Sequence, residues 1–235
     1  MYHDIVSSND KKSGFQNENA FMYKVDETSF EEQVSALAHN DVLFTFDDGG
    51  DSFITKAAPI LEKYGKKGMF FISTKYIGNS GFLTEEQIRQ LHSRGHRIGS
   101  HSHSHPSNIS TLKDDDIFAE WAESVEVLSR IIGETIAIAS IPNGYASKDV
   151  IKQAVRAGIT ELYTSTPTTR AKIKESIVLR GRYVVHSSSS TNCVLEIVNS
   201  KTKRFTMSVK WAMLEAIKSL LGNNYDKVKA LIKRH

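Results

Sequence analysis

The sequence predicts an α/β fold, specifically a closed or partly closed (β/α) barrel in a single domain. Short runs rich in β-forming residues alternate with segments whose apolar residues recur at helical spacing. The chemically suggestive polar clusters follow directly after these runs, and active sites of α/β folds gather at the carboxyl ends of their strands. The chain has 235 residues, which is long enough for one sizeable core.

The first strand–helix unit ends in two adjacent carboxylates. Residues 41–46 (DVLFTF) predict a short strand, and Asp47-Asp48 followed by two glycines predicts the turn that ends it. Apolar residues then recur at helical spacing over residues 54–64, and Gly65 ends this helix. Both acidic side chains are therefore expected at the carboxyl end of a strand.

The second unit leads to a cluster of histidines. Residues 69–73 (MFFIS) predict a strand, and Thr84 with Gln87 predicts a capping box at the start of a helix that ends at Gly95. The segment that follows leads into three histidines within five residues, which are His101, His103 and His105.

The remaining elements continue the alternation and extend it at the C-terminus. The pattern predicts helices and strands in the order helix 114–132, strand 136–141, helix 148–157, strand 161–164, strand 177–185 and amphipathic helix 207–221. We expect two parts, a barrel domain over residues 1–200 and a C-terminal helical extension over residues 201–235 packed on the barrel.

Composition and charge exclude several classes of protein. The 30 basic and 27 acidic residues give a formal net charge of +3, which is too balanced to indicate a nucleic-acid surface. The single cysteine, Cys193, excludes an intrachain disulfide and a cysteine-rich zinc site. No run approaches the roughly 20 apolar residues of a membrane span, and the first twenty residues contain no apolar signal segment, so we expect a cytoplasmic protein. The lysine-rich segment 227–234 predicts a solvated helix face, with a partner-binding or membrane-surface helix as the alternative.

His101 and His105 are spaced for a shared metal ion. Residues four apart in a helical turn lie on one face with Cβ atoms roughly 5–6 Å apart, a separation that one ion can bridge. The spacing alone is a weak signal, because such a pair also occurs by chance on protein surfaces. The preceding Gly-Ser and the following proline fix the geometry of the loop and strengthen the signal.

The two aspartates supply the complement to this histidine pair. Two neutral imidazoles and one carboxylate leave an open position for water on a zinc-like ion. Adjacent carboxylates repel each other unless a cation or proton separates them. A metal bound to one of them would leave the other free to accept a proton from metal-bound water. Coordination to a metal lowers the pKa of that water toward ~7. The alternative is that Asp47-Asp48-Gly49 is only a turn near a helix N-terminus.

These motifs resemble those of the polysaccharide deacetylase family, also called the NodB-homology domain or carbohydrate esterase family 4. Residues 45–49 (TFDDG) are similar to its first motif and residues 101–106 (HSHSHP) to its second, in the same order. The opening Tyr2-His3-Asp4 resembles that of members that act on exopolysaccharide. The resemblance implies a distorted (β/α) barrel that hydrolyses an N-acetyl group with the help of one divalent metal ion, for which zinc is expected.

The resemblance also implies roles for individual residues. Asp47 would be the catalytic base, while Asp48, His101 and His105 would hold the metal. The backbone amide of Asn143 aligns with the position that helps to stabilise the tetrahedral oxyanion.

The later motifs depart from the family pattern. Ser140 stands where the family has an arginine that orients the base, so that Arg180 or Arg182 would have to reach in from a later strand. The fourth motif, with an aspartate and a tryptophan, has no counterpart in residues 161–165. His186 is the downstream candidate for the histidine that protonates the leaving amine, although a lone histidine is more often structural.

We therefore predict a metal-dependent hydrolase that removes an N-acetyl group from a saccharide or an exopolysaccharide precursor. Two alternatives remain, which are a hydrolase of a small non-sugar amide and a non-catalytic protein whose degenerate site binds metal or sugar. Aromatic residues of a substrate groove would separate these alternatives, and the sequence nominates Tyr145 and Tyr163 for that groove.

Overall fold

The protein is described by a computed structural model that covers residues 1–7 and 12–221. Its strands are β1 (Ile5–Val6), β2 (Val25–Asp26), β3 (Phe44–Phe46), β4 (Gly68–Ile72), β5 (Arg97–Ser100), β6 (Ile138–Ser140), β7 (Glu161–Tyr163), β8 (Lys172–Lys174) and β9 (Ile177–Arg180). Seven of them form one sheet in the order β3-β4-β5-β6-β7-β9-β8. All neighbours in this sheet are parallel except β8 and β9. The predicted α/β architecture is confirmed.

The N-terminal residues join the two sides of this sheet into a barrel. Tyr2 forms a parallel bridge with Phe46, supported by hydrogen bonds from the Tyr2 amide to the Thr45 carbonyl (2.7 Å) and from the Asp47 amide to the Tyr2 carbonyl (3.1 Å). On the other side, the amide of Val185, in the segment that follows β9, donates to the carbonyl of Met1 (2.9 Å). The barrel is distorted because single bridges rather than full strands complete the ring.

Helices connect the strands and cover the outside of the barrel. They are α1 (Glu18–Phe21), α2 (Glu27–Ala36), α3 (Ala58–Lys63), α4 (Glu85–Ser93), α5 (Asp114–Ile132), α6 (Lys148–Arg156), α7 (Thr191–Asn199) and α8 (Lys201–Leu221). The capping box predicted at the start of α4 is present, with the Gln87 amide donating to the Thr84 hydroxyl (3.2 Å) and the Thr84 amide to the Gln87 side chain (2.8 Å). The bounds of α5 agree with the prediction.

Several elements differ from the sequence-based expectation. The helix predicted over residues 54–64 begins as a π-helical segment, Phe53–Ala57, before α3. The strand predicted over residues 177–185 ends at Arg180. Its antiparallel partner β8 was not predicted, because the hairpin turn uses Glu175 and Ser176 with φ of 50° and 65° instead of the glycine or asparagine that normally marks such a turn.

Strand alternation decides which side chains of β3 face the barrel interior. The ring of Phe46 packs against Tyr2, Phe30, Phe53 and Phe70, with centroids 4.9–5.7 Å apart, in the hydrophobic layer between sheet and helices. Successive side chains of a strand point to opposite faces. Asp47, the next residue, therefore points to the axis of the barrel, where it is 3% exposed.

The helix α8 contacts the rest of the chain along one side. The hydroxyl of Ser208 donates to the carbonyl of Pro167 (2.7 Å), and Arg204 donates to the carbonyls of Ile197 and Val198 near the end of α7. The division into a domain 1–200 and an extension 201–235 stays a prediction. The lysine-rich segment 227–234 lies outside the described residues. Among the described residues, no helix is long and apolar enough to cross a membrane.

Candidate metal centre

Three predicted ligands from two loops converge at the carboxyl ends of the strands. Asp48 follows β3, while His101 and His105 follow β5. The Oδ1 atom of Asp48 lies 3.4 Å from Nε2 of His101 and 3.3 Å from Nε2 of His105. All three potential ligand atoms lie within 4.8 Å of one another, which is close enough for a single ion to contact each of them.

The surroundings of His101 fix the tautomer of its ring. Its Nδ1 atom lies 3.0 Å from the carbonyl oxygen of Ser140, and a carbonyl can only accept a hydrogen bond. The proton of the neutral ring is therefore on Nδ1, and the lone pair of Nε2 faces the Asp48 carboxylate. This backbone contact is the kind that orients histidine ligands in metal sites.

The charge balance of the cluster also suits a cation. Burial alone would raise the pKa of Asp48, but the imidazoles of His101 and His105 hold that pKa well below its ordinary value. Burial would lower the pKa of His105, yet the Asp48 carboxylate raises it. The buried, ionised carboxylate of Asp48 would therefore be stabilised by a positive charge at the point where it meets the two imidazole rings.

The loop that carries the two histidines has an unusual backbone. Ser102 and His105 have φ of 62° and 54°, a region that residues other than glycine adopt rarely. The Ser102 amide donates to the Ser100 hydroxyl (3.2 Å), and the Ser104 amide donates to the carboxylate of Glu120 on α5 (2.8 Å). The Ser104 hydroxyl donates to the same carboxylate. Glu120 therefore holds the loop in the conformation that brings the two rings together.

We expect Glu120→Ala to weaken zinc binding by roughly 10–100-fold, the usual effect of losing a group that orients metal ligands. The exposed Glu126→Ala, on the same helix, is the matched control and should bind zinc as the unaltered protein does. Calorimetric titration of the metal-free proteins with zinc measures both. Equal affinities for the two variants would show that Glu120 does not position the loop.

Asp47 is clamped by an arginine from a later strand. The guanidinium of Arg182 donates to Oδ1 (2.6 Å) and Oδ2 (2.8 Å) of Asp47, and the Ser140 hydroxyl donates to Oδ2 (3.1 Å). Burial alone would raise the pKa of Asp47, but Arg182 lowers it to about 2. Of the two arginines that the sequence offered, it is thus Arg182 that contacts Asp47, and it also donates to the Ser140 hydroxyl (2.5 Å). Arg180 instead pairs with Glu161 (2.8 Å).

Comparison with known proteins shows the family to which the chain is related. Residues 35–162 match the family model for polysaccharide deacetylases, which is more than half of the chain. The chain belongs to the polysaccharide deacetylase family. The resemblance to this family that the sequence suggested is therefore confirmed.

Relatives by sequence lie in the same family. YxkH of Bacillus subtilis, provisionally named a polysaccharide deacetylase, is 27% identical over 197 residues, which are 79% of this chain and 68% of YxkH. A peptidoglycan-N-acetylglucosamine deacetylase of Bacillus cereus is 26% identical over 129 residues, which are 54% of this chain and 45% of that enzyme. The chain thus matches less than half the length of the second relative.

Solved structures of deacetylases share the fold. A polysaccharide deacetylase from Bacillus cereus superposes with a TM-score of 0.72 at 16% identity, covering 84% of this chain and 67% of that one. The Streptococcus pyogenes deacetylase PplD, solved with acetate, gives a TM-score of 0.65 at 18% identity and covers 84% and 96%. These similarities confirm the predicted α/β fold, with helices around a central and mostly parallel sheet.

The other nominated residues lie in different surroundings. Asn143 has φ of 54°, and its side-chain amide donates to the carbonyl of Ser107 (3.3 Å), which ties the loop after β6 to the loop after β5. Tyr145 packs partly against the core cluster beside α6. The ring of His186 stacks on Tyr23 with centroids 5.1 Å apart, and burial lowers the pKa of His186.

His3 is a site residue that the sequence reasoning did not nominate. Because Tyr2 pairs with Phe46 in parallel register and its ring packs in the outer layer, the side chain of His3 points with Asp47 into the barrel. Its ring lies 4.5 Å from that of Tyr23, and its Nδ1 atom is buried with no hydrogen-bond partner among the described residues. Burial lowers the pKa of His3. No strand was predicted there, so the direction of the side chain could not be inferred.

Proposed function

We propose that this protein hydrolyses the N-acetyl group of a saccharide with the help of one divalent metal ion, with zinc the expected ion. The observation that carries the proposal is the convergence of Asp48, His101 and His105. A second carboxylate, that of Asp47, lies beside this cluster and is paired with Arg182 instead of belonging to it. Relatives that bear the names peptidoglycan-N-acetylglucosamine deacetylase and chitin deacetylase act on saccharides of this class.

The donor set fits a catalytic metal site. One carboxylate oxygen and two imidazole nitrogens are three protein ligands, and catalytic zinc sites typically keep a fourth position open. A divalent ion bound there would make water a better nucleophile and polarise the acetamide carbonyl.

Asp47 is placed to act as the general base. The bidentate contact with Arg182 keeps its carboxylate ionised and fixes the plane of its oxygens. Its Oδ2 atom lies 4.0 Å from Nε2 of His101, so that Asp47 borders the ligand cluster without belonging to it. A fixed acceptor at this point can take a proton from attacking water.

Two histidines are candidates for the proton donor to the leaving amine. His186 is the residue nominated from the sequence, and His3 is favoured by its place beside Asp47 and by its buried, unpartnered Nδ1. The ring of Tyr23 lies between them, in contact with both. We therefore assign the proton transfer to His3 and a supporting role to the stack of Tyr23 and His186. Asn143 remains the proposed source of a backbone amide for the oxyanion.

The test is acetate release from N-acetylated oligosaccharides by the zinc-loaded protein. Losing a general acid or base typically costs 10²–10⁴-fold in rate, so Asp47→Asn and His3→Asn should each lose that much while still binding zinc. His186→Asn is the comparison and should lose less than His3→Asn. Full activity of Asp47→Asn would remove the proposed base, and cleavage restricted to small non-sugar amides would reject the saccharide.

A further inference from the structure

Three aromatic side chains form a cluster outside the hydrophobic core. The ring of Phe15 meets Tyr76 (4.9 Å between centroids) and Phe82 (5.2 Å) edge-on, and Tyr76 stacks on Phe82 (5.0 Å). All three are half-buried. None belongs to a core cluster in the part of the chain that the structure describes. The aromatic cluster of Phe15, Tyr76 and Phe82 thus presents ring surface that the fold itself does not bury.

The aromatic cluster borders both loops that carry the candidate metal ligands. The ring of Phe15 lies 5.0 Å from the ring of His105. Phe82 forms an antiparallel bridge with Gly50, two residues after Asp48. The Tyr76 hydroxyl donates to the carbonyl of Ser104 (3.3 Å). A molecule resting on these rings would therefore lie directly beside the metal centre.

The segments that carry the three rings are tied together. The Gly14 and Asp51 amides both donate to the carbonyl of Gly81, at 2.7 and 3.0 Å. The Ser13 hydroxyl donates to the buried carboxylate of Asp4 (2.6 Å). At Gly81, where φ is 83°, a Cβ atom would lie 2.4 Å from the carbonyl oxygen of Lys12, so glycine is required for this close approach. The ring surface is therefore preformed, which reduces the entropic cost of binding.

We propose that the aromatic cluster binds a pyranose ring adjacent to the sugar unit whose acetamide is hydrolysed. The proposal rests on the proposed function for the position of the reacting unit. A pyranose presents a face of C–H groups, which packs on an aromatic ring as other apolar surface does. Binding pockets commonly combine such aromatic walls with a few polar groups that fix orientation.

The experiment compares N-acetylglucosamine with its pentamer on the zinc-loaded protein. Saturation-transfer NMR detects contact between sugar protons and the protein whether or not the acetyl group is cleaved, and acetate release gives the KM. In Tyr76→Leu/Phe82→Leu, which keeps apolar volume but removes the ring faces, we expect the pentamer to bind at least tenfold more weakly and its KM to rise at least tenfold. Binding of the single sugar should stay unchanged.

The matched control is Phe205→Leu, which removes a 68% exposed ring on α8 and should change nothing. The single variant Phe82→Leu provides a second test if the double variant folds poorly by circular dichroism. If pentamer binding depends on the aromatic cluster but no acetate is released, the proposed function is rejected and the sugar-binding role of the cluster is kept. Equal pentamer binding and equal KM in the unaltered and Leu-substituted proteins would overturn the sugar-binding role of the cluster, whatever the activity.

Discussion

Arg182→Met is expected to lower the free energy of unfolding by about 3–5 kcal/mol at neutral pH, the usual cost of removing one partner of a buried ion pair. The side chains of Arg182 and Asp47 are each only 4% exposed. Without the guanidinium, Asp47 would be a buried carboxylate whose remaining hydrogen-bond donor is the Ser140 hydroxyl. Urea unfolding of the metal-free proteins measures the difference.

The pH dependence of this loss has a defined sign. With Arg182 present, the pKa of Asp47 is about 2, so the pair contributes stability above the unfolded pKa of roughly 4 that is lost as pH falls through 2. In Arg182→Met, burial raises the pKa of Asp47, and the carboxyl becomes protonated as pH falls. The stability gap between the two proteins should therefore be widest near pH 7 and narrow toward pH 4.

Two variants show whether the pair, and not a general defect, causes this loss. Arg180→Met removes a 45% exposed arginine two residues away and should cost less than about 1 kcal/mol. Adding Asp47→Asn to Arg182→Met removes the unpaired charge, and the double variant should recover most of the lost stability. If Arg180→Met and Arg182→Met were equally destabilised, the buried clamp would not be the source.

The elements that were predicted well have local signals. The helix α5 carries three aspartates in its first turn and is followed by Gly133, whose φ is 76°. Both features are local sequence signals for the ends of a helix. The loops that carry Asp48 and the two histidines follow short runs of β-forming residues. Because parallel strands place their carboxyl ends at one side of a barrel, the convergence of these loops could be expected.

What could not be predicted depends on long-range pairing. Arg182 and Asp47 are separated by 135 positions, and the sequence offered Arg180 and Arg182 equally. The position at which β9 ends determines which arginine reaches Asp47. Arg180 is the last residue of β9 and pairs with Glu161 on the neighbouring strand β7, while Arg182 lies beyond the strand and is buried inside the barrel. His3 was missed for the same reason. The neighbouring Tyr2 pairs with Phe46 through a single isolated bridge, and one bridge leaves no periodic pattern of apolar residues in the sequence.

Asp48→Asn should abolish the stabilisation of this protein by zinc. At a zinc concentration 100-fold above Kd, a bound ion adds about 2.7 kcal/mol to the free energy of unfolding, which corresponds to a rise in Tm of roughly 5–10 °C for a chain of this size. Asp48 has φ of 89°, and asparagine tolerates positive φ better than most residues, so the backbone should accept the replacement. The charge of the ligand is then the main change.

Differential scanning calorimetry with and without zinc measures this effect, and Asp51→Asn is the control. Asp51 lies three residues away in the same loop but is not one of the clustered ligands. Its variant should keep the full zinc-induced rise in Tm, while Asp48→Asn should show none at the same zinc concentration. A zinc-induced rise in Tm that persists in Asp48→Asn would mean that zinc binds elsewhere. Without the Asp48 carboxylate, the two imidazoles provide no negative charge to balance the cation in this buried site.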